Sequence, residues 1–327
     1  MMRLFKNSFQ TAALFLFGLC GILGLCVSGC GDSAEKSFDT GVQHARRHQW
    51  IPAAKAFEET LKKDPDLIEA HFALGKVLYH LKNYQKAAEE YEKGLERVPN
   101  STEAMLSLGM TYFEMKRYKD AIRLFHKAMV IKENFIPAIY GMGRIYWLWA
   151  NEAKSDEDRS KYTYLAITYL LKAVETNPDY FLAHELLGEI YEKLALEKDD
   201  RLRVSALEQA IRYYNQASVL RGGNEGILAA LIRLHSLLGD YEKVRDISET
   251  MIVLAKVNGS EVPAILLAYK GRSHEELGET AKARRSYELF IKIQKNKSQD
   301  ELADEERAAV QRHIDQAKKA IEMLKRK

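Results

Sequence analysis

Two stretches decide the fold: EAHFALGKVLYHLKNYQKAAEEYEKGLERVPN at 69–100 and EAMLSLGMTYFEMKRYKDAIRLFHKAMVIKEN at 103–134. Written one above the other, they align glycine with glycine and alanine with alanine at an offset of 34 residues. The same offset relates Gly41, Gly75, Gly109 and Gly143, then Ala53, Ala87 and Ala121, then Pro65 and Pro99. Self-similarity at a fixed period of this length marks a chain built of stacked supersecondary units rather than of one closed core. With each glycine set at position 8, apolar residues fall at 4, 7 and 11, one face of a first helix A. Position 20 is Ala53, Ala87, Ala121, Ala166, Ala210, Val244 and Ala283, and position 24 is Phe57, Tyr91, Phe125, Leu170, Tyr214, Ser248 and Tyr287. Small residues at 8 and 20 let two helices approach closely. The large residue at 24 fills the space beside them, and proline ends the second helix B.

Seven units follow, from about residue 34 to residue 296, and the sixth departs most, with Ile232, Val244 and Ser248 at the three marked positions. The register slips by 11 residues between Gly143 and Gly188 and by 10 between Ala166 and Ala210. The extra residues are charged, lie near 151–161 and 196–205, and are expected to lengthen helices A and B of units four and five. Acids at Asp156, Asp158, Asp199 and Asp200 suit the start of helix B. Residues 301–327 read as an amphipathic capping helix.

The 34-residue unit with these small positions resembles the tetratricopeptide repeat. That resemblance covers roughly 34–296 and implies an all-α solenoid of helical hairpins wound into a right-handed superhelix. It also implies a non-catalytic scaffold that binds a protein or peptide. In that family, positions 2, 5, 6, 9, 12 and 13 of helix A line a concave groove. Carried over to units two to four, those positions include Phe72, Lys76, Tyr79, Leu106, Met110, Phe113, Tyr140, Arg144 and Trp147. Aromatic, methionine and arginine side chains together make protein-binding hot spots. The lysine and asparagine clamp that holds a chain-terminal carboxylate in some relatives is missing, because position 5 is Phe72, Leu106 or Tyr140. In later units the same positions turn polar, with Glu185, Glu189, Glu192, Arg233, Arg272 and Glu275.

The N-terminus reads as an export signal over 1–29. Arg3 and Lys6 precede an apolar run, AALFLFGLCGILGLCV, from Ala12 to Val27. At 16 residues the run is shorter than the ~20 that a spanning helix needs. It ends in Val27-Ser28-Gly29-Cys30, which resembles the bacterial lipobox. The resemblance implies diacylglycerol on the Cys30 thiol, cleavage before it, and a mature protein held by lipid in the bacterial envelope. Cys20 and Cys26 follow bulky leucines and fit less well. Gly31 next to the cysteine favours the outer membrane, facing the periplasm, and 30–36 is expected to be a short lipidated linker. An uncleaved signal anchor is the alternative.

The 49 basic and 46 acidic residues leave a formal charge of +3, too small for a bulk nucleic-acid binder. All three cysteines lie within the first 30 residues, so thiol catalysis and cysteine-bound metal are excluded from the folded body. His184-Glu185 and His274-Glu275 lack the second histidine of a zinc-protease motif. His44 and His48 are spaced to share a metal, but His44, His235 and His274 occupy packing position 11, and His71 and His184 occupy position 4. Lys282-Ala283-Arg284-Arg285 and the C-terminal LKRK read as solvated helix ends. No catalytic site, cofactor, metal or small-molecule substrate is expected. Two other roles remain: an oligomer-forming structural protein of the envelope, and an enzyme or transport accessory. The pilotin class of envelope lipoproteins, which helps assemble pilus and secretion machines, shares this repeat type.

Overall fold

The computed structural model describes residues 31–197, 200–221, 224–296 and 304–325, so the signal region 1–29 and Cys30 lie outside it. Among the described residues there are fifteen helices and no strand. In chain order they are α1 (Gly31–Arg46), α2 (Trp50–Lys63), α3 (Ile68–His80), α4 (Tyr84–Arg97), α5 (Thr102–Glu114), α6 (Tyr118–Ile131), α7 (Ile136–Glu152) and α8 (Asp156–Thr176). There follow α9 (Phe181–Glu197), α10 (Asp200–Arg221), α11 (Glu225–Leu238), α12 (Tyr241–Val257), α13 (Ala264–Glu276), α14 (Thr280–Asn296) and α15 (Asp304–Lys325). Odd-numbered helices up to α13 are the A helices of the seven repeats, and each is followed by its B helix. The chain packs as two units, one ending at Arg117 and the other beginning at Tyr118.

The marked positions do the packing the register assigns to them. A Cβ placed on Gly41 would lie 2.6 Å from the Phe57 ring, and one on Gly271 would lie 2.7 Å from the Tyr287 ring. Gly143 meets Leu170 and Gly188 meets Tyr214 in the same way. In repeats one, two, four, five and seven, the position-24 side chain of helix B thus sits on the position-8 glycine of helix A. Ala53, Ala87, Ala121, Ala166, Ala210 and Ala283 are fully buried. Phe57, Phe125 and Phe290 are buried too, each contributing about 2–3 kcal/mol of apolar transfer.

One turn recurs between helices A and B. In repeats one, two, three, six and seven, the position-16 N–H donates to the position-11 carbonyl: Gln49 to His44, Asn83 to Leu78, Arg117 to Tyr112, Asp240 to His235 and Glu279 to His274. This is the six-residue closure of a Schellman end, and it requires a left-handed residue at position 15. His48, Lys82 and Lys116 stand there with φ of 58°, 61° and 60°, and Gly239 and Gly278 with 75° and 74°. At the other end, α2 stops at Lys63, and Asp64 turns extended with φ of −136° before Pro65.

Repeats four and five differ as their extra residues require. Helices α7 and α8 run 17 and 21 residues, and α9 and α10 run 17 and 22, where α3 and α4 run 13 and 14. Ser155 caps α8 by accepting from the Asp158 N–H, and Asp156, Glu157 and Asp158 fill the first turn. The other tip lies partly outside the described residues, at 198–199. Ile314, Ala317, Ile321 and Leu324 of α15 pack into one cluster with Leu267, Tyr287 and Phe290.

The stretch expected to be a linker is corrected from residue 31 onward. Helix α1 begins at Gly31, and Ala34 and Ser37 are already buried, so their packing extends the helix by almost two turns.

Candidate functional site

The nine residues assigned to one groove fall in different settings. In the first unit, Phe72, Lys76 and Tyr79 on α3 and Leu106, Met110 and Phe113 on α5 are all half-buried. Phe72 is used internally: its ring occupies the notch left by Gly94 on α4, where a Cβ would collide with it. Tyr79 makes an edge contact with Tyr84 at 5.5 Å between ring centres. Burial holds the Lys76 ammonium below the usual lysine range. Beside it, His80 is pushed down by burial, by Lys76 and by His48, and it stacks on Trp50 at 4.2 Å. Tyr79, Leu106, Met110 and Phe113 therefore keep apolar surface in contact with solvent, on two helices of one unit.

In the second unit the outcome is different, and one assignment is corrected. Trp147 is buried, 7% exposed, within a cluster with Ile139, Leu170, Leu187 and Ile190. Its Nε1 donates to Glu189 Oε1 at 3.0 Å, and Lys193 Nζ lies 5.4 Å from the centre of its ring. Glu189 lies on the next A helix, α9, at an ordinary repeat position, so Trp147 is held inside the repeat pair and offers little surface to a partner. Tyr140 packs against the same cluster, meets Tyr180 edge-on at 5.5 Å, and carries Arg144 at 5.9 Å over its ring. Burial pushes the Tyr140 phenol up to about 12, against the lesser pull of Arg144.

The polar residues at these positions find partners within the repeats. Glu192 accepts from Arg233 through Nε at 3.1 Å and Nη2 at 2.9 Å, and from the Tyr214 hydroxyl at 3.0 Å. Glu275 accepts from the Tyr287 hydroxyl at 2.9 Å. Burial raises Glu185 above the carboxylate range, with Arg221 opposing.

The histidines at positions 4 and 11 bond within their own repeats. At position 11, His44 bonds Gln49 at 2.6 Å, His235 bonds Asp240 at 3.1 Å, and His274 bonds Glu279, each tying the end of helix A to position 16. At position 4, His71 and His184 each place Nε2 on a proline carbonyl, Pro65 at 3.0 Å and Pro178 at 2.7 Å. Among the described residues no cluster of three or more His, Cys, Asp or Glu could hold a metal ion. No described helix is long and apolar enough to cross a membrane.

Sequence reasoning missed an aromatic group on the lengthened hairpin. Tyr146 stacks on Tyr169 at 5.6 Å, and Trp149 meets Tyr162 at 5.5 Å beside a depression also lined by Lys119, Glu152 and Ala153. Only Tyr146 lies on a marked position, so the repeat register carries no signal for the other three.

A family model described as anaphase-promoting complex, cyclosome, subunit 3 matches residues 46–128. No curated protein matches the chain. Among solved structures, PilF of Pseudomonas aeruginosa is 19% identical, with a TM-score of 0.54, covering 69% of this chain and 94% of that one. PilW, a widely conserved type IV pilus biogenesis factor, is 17% identical, with a TM-score of 0.52 and coverage of 67% and 92%. A tetratricopeptide repeat protein from Parabacteroides merdae is 13% identical, with a TM-score of 0.51 and coverage of 88% and 99%. The register, the glycine-on-ring crossings and these likenesses converge: the chain has the tetratricopeptide-repeat fold.

Proposed function

We propose that the protein is a protein–protein interaction scaffold, anchored by lipid on Cys30 in the bacterial envelope, that helps assemble or regulate an envelope complex. The observation that carries the scaffold reading is the row Tyr79, Leu106, Met110 and Phe113 in the first unit. These side chains lie on A helices at positions that the hairpin crossings do not use, and they remain half-exposed. Apolar and aromatic surface of this kind is what a partner segment covers. The anchoring part rests on Val27-Ser28-Gly29-Cys30. The shared fold with PilW, a type IV pilus biogenesis factor, supports a pilus or secretion machine as the setting. The outer membrane, periplasmic side, is the location that Gly31 favours.

Two measurements test the reading. Growth with a clickable fatty acid should label the wild type and not Cys30→Ser. Label on that variant removes the anchor site. Capture from envelope extract, read beside the mass of the purified protein, separates a scaffold from a structural oligomer. A defined partner at fixed stoichiometry supports the scaffold, and self-assembly alone refutes it.

A further inference from the structure

The basic run Lys282–Arg285, a solvated helix end by sequence, has a specific setting in the second unit. Lys282, Arg285 and Ser286 on α14 line a depression of about 490 Å³. Lys270 and His274 on α13 and Arg245, Asp246 and Glu249 on α12 complete the lining. Three helices thus bring four permanently cationic side chains from separate parts of the sequence to one place, against two carboxylates. None of these residues occupies the helix-A positions 2, 5, 6, 9, 12 or 13.

The pairing pattern shows what the depression can accept. Arg245 pairs with Asp246 at 2.9 Å and Lys270 with Glu249 at 2.8 Å. Lys282 pairs at 3.0 Å with Glu279, which also holds His274. Arg285 is exposed and has no carboxylate partner among the described residues. With Glu279 and Glu242 counted, both of which act on Arg245, four carboxylates face four cations, and Arg285 is the cation left without a close partner. In both the Arg245 and Lys270 pairs the cation is half-buried and the carboxylate open to solvent, and pairs open to water contribute only about 0–1 kcal/mol each. An incoming carboxylate can therefore exchange with Asp246 or Glu249 at little cost and take up the planar fork of Arg285.

We propose that this depression docks an acidic, Asp- and Glu-containing segment of a partner protein, with Arg285 and Arg245 gripping its carboxylates. The proposal rests on the scaffold reading for the existence of a partner and adds a second contact surface to it. The resident carboxylates select the class of ligand. A nucleic-acid duplex carries a charge about every 1.7 Å of its axis and would meet Asp246, Glu249 and Glu279 head-on. Same-face carboxylates on an extended peptide recur about every 6.6 Å and can interleave with them.

The test uses purified full-length protein and fluorescence anisotropy. The probes are a fluorescein-labelled peptide of alternating Glu and Gly, its Lys counterpart, and an oligothymidylate of similar length. The Glu peptide should bind at low salt, the Lys peptide should not, and affinity should fall about tenfold between about 50 and 300 mM salt as screening shortens. Arg245→Gln with Arg285→Glu should weaken binding at least about tenfold at an unchanged melting temperature, and Arg285→Lys should recover part of it. If the double variant melts early, Arg285→Glu alone decides, because that side chain has no partner to lose. Absence of Glu-peptide binding, equal binding by Arg285→Glu, or tighter binding of the oligonucleotide each overturns the proposal. Any of these leaves the helix-A row standing, because capture through Tyr79 and Phe113 reads that row separately.

Discussion

A glycine at position 8 is worth what its neighbouring ring cannot give up. The Tyr287 ring on Gly271 is anchored at its far end by a hydroxyl bond to Glu275 of 2.9 Å. A Cβ at Gly271 would lie 2.7 Å from it, whereas one at Gly75 would lie 3.1 Å from Tyr91. Gly271→Ala should therefore destabilise by about 1–3 kcal/mol through overpacking. Gly75→Ala should be close to neutral, because the ~1 kcal/mol gain in helix propensity offsets a milder contact. Denaturant titration of the two variants checks the order, and a reversed order would show that Tyr287 moves aside freely. These crossings were legible in the sequence because the same residue types recur in register. The contact between Phe72 and Gly94 was not, since the counterpart of Gly94 34 residues on is Ala128, not glycine, and nothing local ties it to a ring 22 positions earlier.

Among the elements, helix number and length were legible and the turns between helices were not. Eleven extra residues had to go somewhere between two packed helices, and charged sequence without proline or glycine continues a helix into solvent. The left-handed residue at position 15 escapes notice because His48, Lys82 and Lys116 look like ordinary surface residues, while Gly239 and Gly278 do the same work openly. Relief of the left-handed strain is worth ~1–2 kcal/mol, less ~0.4–1 kcal/mol for the freer unfolded glycine. Lys82→Gly should accordingly raise the melting temperature, by roughly 0.5–1 kcal/mol of stability, and Gly239→Ala should lower it. The turn joining α11 and α12 also carries a pH dependence. Burial holds the His235 imidazole below its ordinary 6.5, with Asp240 opposing in part. The unfolded chain then takes up the proton first, so stability is full above the unfolded value and is lost as pH falls through the folded one. His80, also lowered, acts in the same direction. Melting temperature should drop as pH falls from about 7.5 to 5.5, with a shallower slope in His235→Gln; an unchanged slope would place the proton elsewhere.

For the molecule as a whole, the sequence names the positions that can face a partner but not whether they do, because that depends on what the next repeat brings over them. Trp147 shows why. Its position is shared with the binding rows of the fold, yet Glu189 from the following repeat takes its indole N–H and Lys193 lies beside its ring. Tyr79 and Phe113 have the same kind of address and remain half-exposed. The two cases must therefore separate under truncation. Trp147→Ala removes a buried side chain and leaves Glu189 without its donor, so it should destabilise by about 3–5 kcal/mol and weaken any partner only through unfolding. Tyr79→Ala with Phe113→Ala removes half-exposed surface. That double variant should keep a melting temperature near wild type and lose roughly 30-fold in partner affinity, the equivalent of about 2 kcal/mol at a hot spot. A melting curve beside a quantitative pull-down reads both effects. If the double variant melts early, its rings are core. If it melts normally and still captures its partner in full, the row on α3 and α5 is not the contact, and the acidic-peptide depression on α12 to α14 is the remaining surface to test.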